Sequence, residues 1–285
     1  MPKMPHYGVT ISTVNPWFRL FRPKNALIAG AGAWLGWSSL RPHPGIALGV
    51  LGCLSMALLT MAGNADNDLC DLETDRINRP DRPLPAGLLN LSQVRIAAWL
   101  LYAFGIAAAW AVDLLHGLLA LGMVLLLLAY NRVFKGRVLI GNITVALLCG
   151  LAIYFPEFPG FIHATWPAFA FAFLATLARE MVKDAEDMEG DRAANLRTFP
   201  IAFGIEAARK SAFALTAILF AILPLPVFLF GYRWPYLVLA TALAGPFLIM
   251  LLLELMKPGA DFSRCQRWLK WVMVGGMVAL WVGIL

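Results

Sequence analysis

Long stretches of this chain carry almost no charge, and the charges that do occur come in short bursts between them. Windows at residues 45–63, 96–112, 114–130, 236–253 and 268–285 are nearly uninterrupted apolar sequence, each about the ~17–25 residues that a helix needs to cross hydrocarbon. None alternates apolar and polar positions as a barrel strand does, and backbone groups left unpaired in lipid are costly. The pattern predicts an all-α integral membrane protein, a single domain over residues 1–285, with about nine transmembrane helices in one bundle. The expected spans lie near residues 23–40, 45–65, 92–112, 115–131, 138–155, 164–182, 207–230, 235–256 and 267–285.

Composition agrees: 60% of the 285 residues are hydrophobic, 14% are charged and the mean hydropathy is +0.71, far from a water-soluble domain. Residues 1–18 lack a continuous apolar core, so no cleaved leader is expected and the spans themselves direct insertion. Residues 1–22 read as an interfacial segment, with Trp17, Phe18 and Phe21 suited to headgroup depth. Of the 23 Lys and Arg, all but Arg41 and Arg233 fall on the side of the N-terminus. The positive-inside rule then puts the N-terminus in the cytoplasm and the C-terminus outside, in a multi-pass protein of the cell membrane. A net charge of +6 confined to short loops is a topology signal that also favours anionic lipids, and no basic groove or stacking motif indicates a nucleic-acid partner. His6, His43, His116 and His163 show no ligand spacing. Cys53 and Cys149 fall inside expected spans, Cys70 and Cys265 in or beside loops, with no metal or disulfide expected.

Acidic residues change the picture. Twelve of the 17 lie in two short stretches, Asp66, Asp68, Asp71, Glu73, Asp75 and Asp81, then Glu180, Asp184, Glu186, Asp187, Glu189 and Asp191. Both stretches follow an apolar span, and an even number of spans separates them, so both open on one face, as acidic loops at residues 66–91 and 183–206. Asp68, Asp71 and Asp75 stand at i, i+3 and i+7, and Asp184, Asp187 and Asp191 repeat that spacing, which puts carboxylates on one helical face. Such stacking is unfavourable unless cations neutralise it. Mg²⁺ binds one or two carboxylates together with substrate phosphates, so two facing acidic helix ends point to a diphosphate clamped through metal ions. Arg76, Arg79, Arg82, Lys183 and Arg192 stand beside the acids, and Arg132, Lys135 and Arg137 follow Tyr130, as candidate phosphate contacts. Glu73, Glu186 and Glu189 fall off the shared face and read as solvated. A transporter is the rival class, although its acids would belong in mid-span.

Asn67-Asp68-Leu69-Cys70-Asp71-Leu72-Glu73-Thr74-Asp75, running on into Arg76-Ile77-Asn78-Arg79-Pro80, resembles the first signature of the UbiA intramembrane prenyltransferases. Asp187-Met188-Glu189-Gly190-Asp191 is similar to their second signature, and Tyr130 through Lys135 to the tyrosine-to-lysine signature between them; the likeness covers nearly the whole chain. Arg82-Pro83-Leu84-Pro85-Ala86-Gly87, the run Arg179 to Asp191, and Thr198-Phe199-Pro200-Ile201 are similar to the branch that moves a geranylgeranyl group from its diphosphate to geranylgeranylglyceryl phosphate, making an ether lipid. The resemblance implies that Asn67, Asp71, Asp75, Asp187 and Asp191 hold Mg²⁺ and diphosphate, with Asp68 and Asp184 assisting. It puts Tyr130 and Lys135 by the leaving group, and makes Lys24, Asn25, Arg76, Arg79 and Lys183 candidates for phosphate or acceptor contacts. The implied partners are an isoprenoid diphosphate, a lipid or aromatic acceptor and membrane lipids; a 4-hydroxybenzoate-like or chlorophyll-type acceptor is the alternative within the family.

Overall fold

In the computed structural model, which describes residues 14–40, 42, 44–160 and 165–284, prolines and side-chain caps set where many of the helices start. The helices are α1 (Pro16–Phe21), α2 (Pro23–Ser39), α3 (Ile46–Cys70), α4 (Leu72–Asn78), α5 (Leu91–Trp110), α6 (Leu114–Ala129), α7 (Ile140–Tyr154) and α8 (Trp166–Glu186), then α9 (Met188–Ala193), α10 (Phe199–Phe203), α11 (Ile205–Ala221), α12 (Leu225–Phe230), α13 (Trp234–Leu239), α14 (Gly245–Leu255) and α15 (Phe262–Ile284). No strand occurs among the described residues. Asn90 and Asp113 accept from the backbone N–H groups of Ser92 and His116 at 2.9 and 2.8 Å, capping α5 and α6, while a proline opens α1, α2 and α8. Each device answers donors that a helix start leaves unpaired.

Helix stands at all nine expected span positions, but only six helices among the described residues are long and apolar enough to cross a membrane: Ile46–Cys70, Leu91–Trp110, Leu114–Phe134, Ile140–Glu157, Trp234–Leu255 and Phe262–Ile284. The other three differ for physical reasons. Helices α2 and α11 are 17 residues long, and the expected span at 207–230 is split, since α11 stops at Ala221 before Pro224 and α12 follows. Helix α8 carries charge along its last two turns, from Arg179 to Glu186. The acidic stretches expected as loops are largely helical: residues 66–70 end α3, 72–78 form α4, 183–186 end α8 and 188–193 form α9. Cys265, expected beside a loop, is fully buried, because α15 starts at Phe262 and packs its first turns against α8 and α14. Lys3, His6, Arg41, His43 and His163 lie outside the described residues, as does the interfacial reading up to residue 13.

Small residues let the helices close on each other, as expected where lipid supplies no hydrophobic drive between them. Helix α2 packs on α3, α7 and α15, joining an earlier group (α2, α3, α5, α6, α7) to a later one (α8, α11, α13, α14, α15). At the seam, Gly36 of α2 lies so close to α7 that an added Cβ would stand 1.9 Å from the Ile153 carbonyl oxygen. Helix α8 in turn packs on α7, α11 and α15, and short α4 meets short α9, bringing the two acidic stretches together.

Candidate active site

Two aspartates interrupt two helices in the same way. Asp71, between α3 and α4, has φ −89° and ψ 2°; Asp187, between α8 and α9, has φ −88° and ψ 3°. Backbone bonds run on through both breaks, from Asp71 N–H to Asn67 O and from Asp187 N–H to Lys183 O, each 2.9 Å. Each aspartate therefore sits on a short bend rather than in a loose loop, with its carboxylate fixed relative to the long helix before it.

A third element meets them. After α6 the chain makes a π-helical turn, Tyr130–Phe134, closed by Lys135 N–H donating to Tyr130 O at 2.8 Å; wide turns of this kind often occur at functional sites. Gly136, at φ 76°, then bends the chain so that its carbonyl accepts from Arg197 N–H at 2.9 Å. Only a residue without Cβ takes that conformation freely. The result is a pocket of about 50 Å³ whose wall includes Tyr130, Lys135, Arg137, Asn142, Glu180, Lys183, Asp184, Asp187, Asp191 and Thr198.

Charge pairing ties the walls together. Lys135 Nζ donates to Asp71, Arg79 Nη2 to Asp187 Oδ1 at 3.4 Å, and Asn142 Nδ2 to Asp184 Oδ2 at 2.8 Å. Glu180 accepts from Arg179 at 2.9 Å and lies 3.7 Å from Lys183 Nζ. Asp68, only 2% exposed, is paired with both Arg22 and Arg82, and Arg82 also holds the buried Asp75. Beside them Arg132 grips both oxygens of buried Asp66 at 2.8 and 2.9 Å. Burial, then the neighbouring Asp187 carboxylate, push the Asp191 carboxyl above its ordinary range, the response of two close acids.

The sequence-based candidates are thus only partly brought together. Tyr130, Lys135, Lys183, Asp184, Asp187 and Asp191 front the pocket, Asp71 and Arg79 reach it through their ion pairs, and Asn67 lies beside Asp71 and Lys135. Asp68 and Asp75 stand behind, under Arg82. Lys24 and Asn25 are exposed on the first turn of α2 and are not in the pocket wall, and exposed Arg76 pairs with Glu73 at 2.7 Å. Arg132 is spent on Asp66 rather than left for phosphate. Glu186, read as solvated, accepts from Ser263 and Gln266 of α15. Sequence reasoning missed Arg22, Asn131, Asn142 and Thr198. Asn131 and Thr198 stand inside the signature runs Tyr130 to Lys135 and Thr198 to Ile201, which could have prompted them, whereas Arg22 and Asn142 belong to no such run.

A metal would find only oxygen and amide ligands here. The described residues hold no group of three or more His, Cys, Asp or Glu arranged as a ready cage. That arrangement fits Mg²⁺, which keeps waters and completes its shell with substrate phosphates.

Comparison with known proteins bears on the chain as a whole. The model of the UbiA prenyltransferase family matches residues 26–274. Digeranylgeranylglyceryl phosphate synthase of Methanopyrus kandleri is 36% identical over 277 residues, spanning 95% of this chain and all of that protein. Among solved structures, one concerning digeranylgeranylglyceryl phosphate synthase in membranes superposes with a TM-score of 0.75 at 28% identity, covering 94% of this chain and 97% of the other. A UbiA homologue from Archaeoglobus fulgidus, bound to GPP and Mg²⁺, shares the fold with a TM-score of 0.70 at 21% identity, covering 93% and 99%. With the family model spanning most of the chain and both acidic helix breaks in place, the chain belongs to the UbiA prenyltransferase family.

Proposed function

We propose that this chain transfers a geranylgeranyl group from geranylgeranyl diphosphate to the hydroxyl of geranylgeranylglyceryl phosphate, with Mg²⁺ as cofactor, forming an ether-linked membrane lipid precursor. The observation that carries the reading is the convergence of two matched aspartate breaks and a basic π-turn on one pocket. Support for this acceptor comes from the relatives, since those of Methanopyrus kandleri and Methanoculleus marisnigri, 36% and 38% identical, are both named digeranylgeranylglyceryl phosphate synthase.

In this reading Asn67, Asp71, Asp187 and Asp191 hold the cation, with Asp184 at their flank, while Asp68 and Asp75 anchor Arg22 and Arg82 at the rim. Bound there, Mg²⁺ neutralises the diphosphate oxygens so that the allylic C–O bond ionises more readily. Lys135, Lys183 and Arg79 now face one another's acids; when diphosphate enters they turn to it and stabilise the charge that builds on the leaving group. Tyr130 is part of the pocket wall, and in this reading its ring helps to keep water from the allylic cation. The acceptor hydroxyl oxygen attacks the allylic carbon, the old C–O bond breaks, the new ether bond forms, and the hydroxyl proton leaves with diphosphate as the second product. Both substrates carry a long isoprenoid tail, and an apolar cleft of about 380 Å³ between α6 and α7, lined by Leu118, Leu119, Gly122, Met123, Leu126, Leu151 and Phe158, offers such a tail a surface.

The site faces the cytoplasm in this proposal, with nine crossings, the N-terminus inside and the C-terminus outside. Helix at all nine expected positions and the one-sided placement of Lys and Arg support it. Product formation by purified protein in detergent tests the chemistry, using labelled geranylgeranyl diphosphate with geranylgeranylglyceryl phosphate or 4-hydroxybenzoate, each with Mg²⁺ and with EDTA. A Mg²⁺-dependent diether phosphate is expected. A prenylated aromatic would move the acceptor within the family, and no product from either would overturn the assignment.

A further inference from the structure

Asn67 places an amide among carboxylates, and an amide has two unlike ends, one accepting and one donating. Its neighbours make opposed demands on it. In one orientation Asn67 Nδ2 donates to Asn131 Oδ1 at 3.2 Å, and the amide oxygen lies 3.1 Å from Asp71 Oδ2. Two acceptor oxygens so close repel each other unless a positive charge lies between them. Turned over, the amide donates to Asp71 Oδ2 across the same 3.1 Å and accepts from Lys135 Nζ at 3.0 Å, but its oxygen then meets Asn131 Oδ1 at 3.2 Å.

Asn131 is not free to turn in response. Its own Nδ2 donates to Asp66 Oδ2 at 2.7 Å, and Arg132 holds both Asp66 oxygens. Asn131 and Asp66 are both buried, so the pair of acid and guanidinium fixes which end of the Asn131 amide faces Asn67. The relay runs from the π-turn to the aspartate break: Arg132 to Asp66, Asp66 to Asn131, Asn131 to Asn67.

We propose that Asn131 is a positioning residue that sets the Asn67 amide with its oxygen beside Asp71 Oδ2, giving two adjacent oxygens ready for a divalent cation. Lys135 favours the opposite orientation and so competes with the cation for Asn67 and Asp71. The proposal rests on the reading of Asn67 and Asp71 as cation ligands. Outer partners of metal ligands affect metal affinity by roughly 10–100-fold, and a relay that orients one amide belongs at the low end of that range.

The test is Mn²⁺ binding, followed by electron paramagnetic resonance on the full chain in detergent with inorganic diphosphate present, alongside thermal unfolding. Asn131→Ala is expected to weaken Mn²⁺ binding about tenfold. In an Asn67→Asp background the same change is expected to have no effect, because a carboxylate presents an oxygen whichever way it turns. Equal losses in both backgrounds, or no loss from Asn131→Ala, would overturn the positioning role. Should Asn131→Ala not fold, Asn131→Val, closer in volume and without an acceptor for Asn67, serves with the same expectations. Unchanged Mn²⁺ affinity in both Asp71→Ala and Asp187→Ala would overturn the cation site itself, a result distinct from failure of the relay.

Discussion

The two acidic helix ends share a spacing and a backbone conformation, yet they are staffed differently. At the end of α3 the acids are matched with bases: Asp66 with Arg132, Asp68 with Arg22 and Arg82, Asp71 with Lys135, and Asp75 with Arg82. At the end of α8 buried Glu180 is likewise paired, with Arg179 at 2.9 Å, but the aspartates have weaker or more distant partners, an amide for Asp184 and a guanidinium at 3.4 Å for Asp187. Side-chain exposure follows the same division, 2% for Asp68 against 26% for Asp187. At the first end each aspartate has a charged partner; at the second, Asp184 has an amide and Asp187 a guanidinium at the limit of bonding distance. Position along a helix decides where a carboxylate points, but what surrounds it decides whether it holds the fold together or waits for a ligand.

Asp71 and Asp187 are the pair for which this contrast should vanish, since each occupies a helix break and each borders the pocket. Asp71→Asn and Asp187→Asn are both expected to lower turnover on the order of 10²–10³-fold, measured as labelled diether product at saturating Mg²⁺, with little change in unfolding temperature. A large loss from only one of them would mean that the two ends do not share the diphosphate.

Asp68 should belong to the frame of the fold. Asp68→Asn leaves Arg22 without its carboxylate partner and Arg82 with Asp75 alone, which is expected to cost about 3 kcal/mol of stability, read from unfolding in detergent. Turnover per folded molecule should fall far less than in Asp71→Asn. A variant of full stability with abolished turnover would move Asp68 from the frame to the cation.

This division explains what could be read in advance. Spans, the single acidic face and the meeting of the two stretches follow from local periodicity and from counting crossings, so they are legible in the sequence. Partner choice is not, because it is made across the bundle: Arg22 reaches Asp68 over 46 residues, Asn67 and Asn131 meet across 64, and Asn142 and Asp184 across 42. Arg132 shows the difficulty most clearly. By composition it is one of three bases on one turn, equivalent to Lys135 and Arg137; packing gives it to Asp66, and with that its place in the phosphate set ends. Lys24 lies only two residues from Arg22, yet it points to solvent while Arg22 turns inward from a left-handed backbone at φ 47°. Length and composition single out six of the nine expected spans among the described residues, and α8 falls outside that six because its last two turns, Arg179 to Glu186, carry charge.

The seam between the two groups offers a smaller test. Gly36→Ala places a methyl group 1.9 Å from the Ile153 carbonyl oxygen, so α2 and α7 must part, an overpacking cost of ~2 kcal/mol. Unfolding in detergent should show that loss, with the acids' pairing, and hence the Mg²⁺ dependence of turnover, retained. A shift in Mg²⁺ dependence instead would mean that the fit of α2 against α7 sets the spacing of the acidic ends.

The smallest expected effect belongs to Arg76, and it tests whether nearness in sequence to the acids implies a role. Arg76 sits one residue after Asp75, but 56% of its side chain is exposed and its partner is Glu73, itself 80% exposed. An i,i+3 pair so placed contributes about 0.3–0.5 kcal/mol at most. Arg76→Ala should therefore leave stability within ~0.5 kcal/mol and leave the KM values for both substrates unchanged. A rise in KM for the diphosphate alone would show that α4 swings toward the pocket when substrate binds, and would return Arg76 to the site from which its exposed position now separates it. An unchanged KM would confine the phosphate contacts of this end to the bases that bridge its walls, Arg79 and Lys135.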